Sequence, residues 1–411
     1  MAWASARGLL VVLSGLLLAG GCTAPVAAQN HPAAARVVVP VERPVFVPAT
    51  APIVAVSAPA PASRLWPFKR LFNVDYVDVH DIGGRYELKA TWVVGGRTMQ
   101  LADAQGRVRL KFEKGSRDLE IDGIRVFMGE NTVFNQGSLH VSRIDVIKTI
   151  VPLLNPVEHA GQLPAPPRLI VLDAGHGGID PGARNLALHL DEKAVTLDVV
   201  LRLQKLLERR GYRVILTRGD DTKLAVAQRT DLEQRAETAT RARADLFLSV
   251  HFNSASPAVT GTETYVMTPQ FQASSSGGKD DVVDRPFPGN RQDFANVVLG
   301  FQLHRSLLAG LKTSDRGFKR GRLLVLCFSE CPAALVEAAY LSNPAEALRL
   351  ATPEFRQQIA ESIAAGIDAY SAVLAAIHPA PPLPAEIRSV PGAPIPHPAP
   401  QAGHNQSAAG R

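Results

Sequence analysis

A run of four aliphatic residues, LIVL at 169–172, breaks off into DAGHGGIDPG, so that His176 is enclosed by Gly175, Gly177 and Gly178. A continuous β-branched and leucine run without alternation fits a strand buried on both faces, as in parallel sheets covered by helices. Glycines then open a tight turn, because they take φ > 0 without a Cβ clash and let the backbone approach a ligand closely. His176 therefore stands at the carboxyl end of a central strand, where open α/β sheets bind their ligands. Taken alone, it reads first as an ordinary turn residue.

The following segments repeat the arrangement. Glu192 opens a helix, EKAVTLDVVLRLQKLLERRG, whose Val195, Val199, Leu203 and Leu206 form one apolar stripe before Gly211 ends it. The run YRVILT at 212–217 is the next strand, in the helix-glycine-strand order of a βαβ unit. A second helix is expected over 224–243, its Arg and Glu residues forming a solvated face. Then DLFLSV at 245–250 is another buried strand, closed by His251. Glu192 has two readings: a charge favoured by the helix dipole, worth about 0.3–1 kcal/mol, or a functional carboxylate. Two strands ending in histidine, with a carboxylate at the start of the intervening helix, converge on one sheet edge. That is the geometry of a two-histidine, one-carboxylate site.

Downstream, 264–267 is a short strand, and the polar insertion 268–291 has the composition of a lid or surface loop. An amphipathic helix follows over 294–311. The run PAALVEAAYL at 332–341 is the last strand, and Glu337 is its only charge. A carboxyl in such a strand is desolvated, which raises its pKa and suits it to accept and return a proton near neutral pH. The alternative is a buried ion pair with an arginine such as Arg235. Asn343, Pro344 and Glu346 then read as N-cap, N1 and N3 of a helical region extending to about 377.

Around this core the chain divides by composition. Residues 1–28 form an export signal with one positive charge, Arg7, before an apolar stretch too short to span a bilayer. Cys22 ends a sequence, LAGGC, that resembles a bacterial lipobox; cleavage after Ala28 is the competing outcome. Residues 29–64 are a Pro/Ala-rich tether. The alternating segments of 65–160, broken by Gly95-Gly96 and Asp122-Gly123, predict a small antiparallel β-rich domain with a closing helix over 139–154. His140 and His159 lack partners at ligand spacing. A short linker at 161–167 leads to the main domain, 168–377, and 378–411 is a Pro/Ala-rich tail expected to be disordered. The fold class is thus α/β, a mostly parallel or mixed sheet flanked by helices, preceded by a β-rich domain. Cys327 and Cys331 are read as a local disulfide or two buried thiols. The formal charge of +6 favours anionic polymers or headgroups, and no basic run interleaved with aromatics points to nucleic acid.

The motifs VLDAGHGGIDPGA, EKAVTLD, ADLFLSVHFNS and PAALVEAAYLSNPAE occur in order, and over about 169–370 the chain resembles the zinc-dependent N-acetylmuramoyl-L-alanine amidases (amidase type 3). Thr196 and Thr240 stand where that family often has Asn. The resemblance implies Zn²⁺ held by His176, Glu192 and His251, Glu337 as the catalytic acid/base, and hydrolysis of the amide between N-acetylmuramic acid and L-alanine in peptidoglycan. It implies an exported protein of the periplasm or cell envelope, an outer-membrane lipoprotein if Cys22 is lipidated. Besides peptidoglycan, an activator protein and, through Cys22, a membrane are the partners this reading admits. Residues 65–160 resemble, more distantly, the stalk domain of copper amine oxidases, with a role in positioning or wall binding. The competing functions are a non-catalytic peptidoglycan-binding or activator module, which would have little need of all four residues, and a zinc carboxypeptidase or deacetylase, which would share the metal but not the four motifs.

Overall fold

The apolar runs pair as their composition requires. In the computed structural model, which describes residues 65–93, 95–277 and 281–378, they build one long mixed sheet with helices on both faces. The signal segment with Cys22, the tether at 29–64 and the tail beyond His378 lie outside the described residues.

The β-rich region comprises β1 (Lys69–Leu71), β2 (Val74–Asp78), α1 (Val79–Arg85), β3 (Lys89–Val93), β4 (Thr98–Ala102), β5 (Val108–Glu113), β6 (Asp118–Ile121), β7 (Ile124–Phe127), β8 (Val133–Asn135) and β9 (Ser138–Ser142). Strands β3 to β7 form an antiparallel meander, and β1, β2, β9 and β8 form a separate four-stranded sheet. The expected closing helix is a correction: Leu139 and His140 belong to β9, which pairs with β2 and β8. From Arg143 the expected helix does follow, unbroken to Leu154, as α2 (Arg143–Asp145), a π turn at Val146–Ile150 and α3 (Val151–Leu154). Pro152 has no N–H for the carbonyl four residues back, and that oxygen, Lys148 O, instead accepts Arg320 Nη2 at 2.8 Å.

The second part runs through β10 (Leu169–Ala174), a small hairpin of β11 (Arg184–Asn185) and β12 (Leu190–Asp191), α4 (Glu192–Arg209), β13 (Arg213–Leu216), α5 (Gln228–Ala242), β14 (Leu246–Asn253) and β15 (Thr262–Met267). It continues with α6 (Asp293–Leu311), β16 (Asp315–Gly321), α7 (Leu324–Cys327), β17 (Ala333–Tyr340), α8 (Pro344–Leu350) and α9 (Pro353–Ile377). Strands β13, β10, β14 and β17 are parallel, as the βαβ pattern requires. β15 then runs antiparallel to β17. β16 joins β7 through Phe318 and Val126, so the meander extends the same eleven-stranded sheet. One core cluster spans both parts, from Tyr86 and Phe112 to the buried faces of α4, α6 and α9. A second cluster, with Val171, Phe247 and Leu335, lies under α5 and α7.

Three local expectations change. α5 begins at Gln228 rather than 224, because Asp231 Oδ1 accepts from Leu224 N at 2.8 Å and holds the preceding residues as a loop. β14 continues to Asn253, so His251 lies within the strand rather than closing it. The insertion leaves β15 at its carboxyl end, and the antiparallel direction of β15 puts that end level with the start of β17, away from His251 and Glu337. There Arg322 binds Pro269 O, Gln272 O and Asp281, and Arg117 binds Ala273 O and Ser274 O. The insertion's described residues therefore form no lid over the histidines. Cys327 and Cys331 are free thiols, and burial pushes each up to about 11.

Candidate metal centre

His176 takes the left-handed conformation, φ 62°, which a non-glycine residue holds only when its surroundings fix it. Two buried arginines supply that constraint. Arg235 donates to His176 O at 2.7 Å and to Ala174 O at 2.8 Å. Arg218 donates to Ala174 O at 2.8 Å and to Gly175 O at 2.9 Å, and Thr196 Oγ1 also donates to Gly175 O at 2.9 Å. Arg235 is neutralised by Asp173 at 2.9 Å and Asp231 at 2.8 Å. The ion pair considered for Glu337 is thus formed by Arg235 with these two aspartates instead.

The glycines are sterically required. A Cβ on Gly175 would lie 2.3 Å from His251 Cε1, and one on Gly182, where φ is +65°, would lie 2.6 Å from Glu192 Oε2.

Glu192 is the first residue of α4 and is buried. Its Oε1 accepts from Phe252 N at 3.0 Å and lies 3.0 Å from His251 Nδ1. Its Oε2 accepts from Ala183 N at 2.8 Å and lies 3.2 Å from His176 Nε2. The helix therefore delivers a carboxylate between two imidazoles whose ring centroids are 4.9 Å apart. His176, Glu192 and His251 each offer one ligand atom, and the three lie within 4.8 Å of one another. The sequence expectation that these residues converge holds. Two imidazoles and one carboxylate, with a fourth position open, form the donor set of hydrolytic metal sites, so the residues present fit a divalent metal.

The charges agree with this clustering. Burial works against a charged His176, but the carboxylates of Asp180, 3.1 Å away, and Glu192 outweigh it and raise its pKa to about 10. Burial likewise opposes ionisation of Glu192, and the imidazoles of His176 and His251 overcome it, holding the carboxyl well below the usual range.

Glu337 lies beside His251 across the β14–β17 ladder, and Glu263 lies beside Glu337 across β17–β15. In-register residues share a sheet face, so the three stand in one row. Glu337 Oε2 is buried with no hydrogen-bond partner. Burial first, then the charges of Glu192 and Glu263, raise this carboxyl well above the usual range.

The sequence reading left out Asp173, Arg218, Asp180 and Glu263. Asp173 carried a signal, an acid inside a buried strand, of the kind that singled out Glu337. Arg218 and Glu263 act through partners distant in the chain and had none; Asp180 lies only four residues from its partner His176, in the turn that follows it.

The family described as N-acetylmuramoyl-L-alanine amidase matches residues 170–369. The germination-specific N-acetylmuramoyl-L-alanine amidase of Bacillus subtilis (strain 168) is 31% identical over 51% of this chain and 81% of its own length. AmiA of Escherichia coli (strain K12), also named an N-acetylmuramoyl-L-alanine amidase, is 30% identical over 49% of this chain and 76% of its own. The solved catalytic domain of CwlV, from Bacillus (Paenibacillus) polymyxa var. colistinus, is 31% identical, with a TM-score of 0.41 over 50% of this chain and 99% of that one. Other relatives are matched over less of their length: the chain spans 35% of an uncharacterized cell wall amidase of Bacillus anthracis and 42% of LytC of Bacillus subtilis (strain 168). With the germination-specific amidase and AmiA matched at 31% and 30% identity over most of their own length, the chain belongs to the N-acetylmuramoyl-L-alanine amidase family.

Proposed function

We propose that residues 168–377 hydrolyse the amide between N-acetylmuramic acid and L-alanine in peptidoglycan, with His176, Glu192 and His251 holding Zn²⁺ and Glu337 serving as general base and then general acid. The observation that carries this reading is the convergence of two strand-borne imidazoles and a helix-borne carboxylate beside a desolvated glutamate. Bound there, Zn²⁺ would polarise the lactyl carbonyl and acidify water. The protein's own groups do the rest. Glu337, with Oε2 unpaired and out of solvent, has the raised proton affinity that lets it take a proton from the attacking water. It returns that proton to the departing L-alanine nitrogen as the C–N bond breaks. Glu192 accepts from Ala183 N and Phe252 N at once, which fixes its carboxylate between the two imidazoles. The 65–160 region buttresses the site through the shared sheet, and the signal segment delivers the protein to the cell envelope, lipidated at Cys22.

Mass spectrometry of products from purified muropeptides tests the reading. Release of intact stem peptide with a free L-alanine amine supports it; cleavage within the peptide or loss of acetate refutes it.

A further inference from the structure

The row His251, Glu337, Glu263 does not end at Glu263. On the next strand, β16, Arg316 donates through Nε to Glu263 Oε1 at 3.0 Å and to Tyr340 Oη at 2.9 Å. Glu263 is 2% exposed, and its two oxygens also accept from Lys319 Nζ at 2.7 Å, Tyr265 Oη at 2.6 Å, Tyr340 Oη at 2.6 Å and Asn253 Nδ2 at 3.2 Å. This carboxylate is saturated, and one negative charge faces two positive ones. Lys319 is 15% exposed and spends its charge on Glu263. Arg316 pairs with Glu263 through Nε alone: its side chain is 37% exposed, its guanidinium carbon sits 5.3 Å from the Tyr340 ring centroid, and neither Nη1 nor Nη2 donates a hydrogen bond among the described residues. The guanidinium is fixed by one edge and presents the other, the two-pronged edge, unspent. That is the geometry in which arginine receives a carboxylate through two parallel hydrogen bonds.

We propose that Arg316 receives a carboxylate of the substrate's stem peptide and so makes the enzyme selective for acidic over amidated stems. The inference rests on the amidase reading, which supplies the peptide. Adjacent strands lie about 4.8 Å apart and an extended peptide rises about 3.3 Å per residue. Two strand steps from Glu337 to β16, about 10 Å, therefore match a carboxylate two or three residues beyond the scissile amide. Lys319 and the tyrosines act as positioning residues: they hold Glu263, which holds Arg316.

Steady-state kinetics of the full-length zinc enzyme on paired muropeptides, with stem carboxylates free or amidated, tests the proposal. The wild type is expected to prefer the free acid by about 10-fold in kcat/KM, expressed in KM, since a charge-assisted pair exceeds a neutral one by that order. Arg316→Gln is expected to raise KM for the free acid about 10-fold more than for the amidated stem, with kcat for the two altered alike. Arg316→Lys, a point charge without the fork, restores part of the preference. Equal losses on both substrates, in a variant whose thermal unfolding matches wild type, would overturn the proposal, as would a wild type that does not discriminate. Should the wild type leave the lactyl amide of both uncut, the amidase reading fails instead. Calorimetric titration with a free L-alanyl-γ-D-glutamyl peptide and its amidated form then tests the receptor alone: a preference for the acid that Arg316→Gln abolishes supports it, and equal binding refutes it.

Discussion

Replacing Arg235 with methionine should unfold the protein far more readily than its distance from any reacting atom suggests. The guanidinium is 1% exposed and lies between Asp173 and Asp231, which are 0% and 1% exposed. Removing one partner of a buried ion pair leaves an uncompensated charge and costs about 3–5 kcal/mol. Asp173 keeps hydroxyl donors from Thr217 and Ser249, each at 2.7 Å, which holds the cost within that range rather than above it. For a chain of this size each kcal/mol lowers Tm by about 2–4 °C, so a fall of roughly 10 °C is expected by scanning calorimetry at pH 7. The pH dependence gives a second readout. In the wild type, burial favours the neutral Asp173 carboxyl, but Arg235 and the two hydroxyls outweigh it and hold its pKa below normal. That stabilisation is present above the unfolded value, about 3.9, and is lost as pH falls through the folded value. In Arg235→Met, burial goes unopposed by the guanidinium and the carboxyl rises above normal, so the variant loses stability as pH rises instead. The deficit should therefore shrink between pH 7 and pH 4. A fall in Tm below about 2 °C, or a deficit constant across that range, would refute the argument.

Other outcomes follow from the same geometry. Glu337→Gln should retain its zinc, measured by elemental analysis, while kcat on muropeptides falls about 10²- to 10⁴-fold. Gly175→Ala drives a methyl group to within 2.3 Å of the His251 ring and should weaken zinc binding about 10- to 100-fold in chelator competition. EDTA should abolish activity and lower Tm, and added Zn²⁺ should restore both; a metal at 100 times its Kd contributes about 2.7 kcal/mol. Cys327 and Cys331, with thiols near 11, should react with Ellman's reagent at pH 8 only slowly until the protein is denatured, because the thiolate is the reactive form.

His176, Glu192, His251 and Glu337 were legible because each breaks a local rule: a histidine among glycines, a carboxylate at the head of an apolar stripe, a histidine continuing a buried strand, a lone acid among small residues. The parallel order of β10, β13 and β14 was legible for the same local reason, the helix-glycine-strand rhythm between them. What escaped depends on partners far away in the chain. Arg235, on a helix read as solvated, was offered only as an ion-pair partner for Glu337, and Asp173, 62 residues distant, is the partner that makes it part of the site. Alternation in 65–160 revealed strands but not that β7 would lie against β16, since period-2 patterning fixes a strand's faces and not its edge partner. The helix expected at 139–154 failed at its start, where Leu139 to Ser142 belong to β9 instead, because Val141 and His140 find edge partners on β2 that lie far back in the chain.

The reversed direction of β15 also gives this polypeptide a place to grow. Its carboxyl end hands the chain to a segment at the sheet margin remote from the histidines, tied down on either side by Arg117 and Arg322. A fluorescent reporter or affinity tag spliced between Ser274 and Asp281 would enter between two anchored residues, far along the sheet from His251 and Glu337.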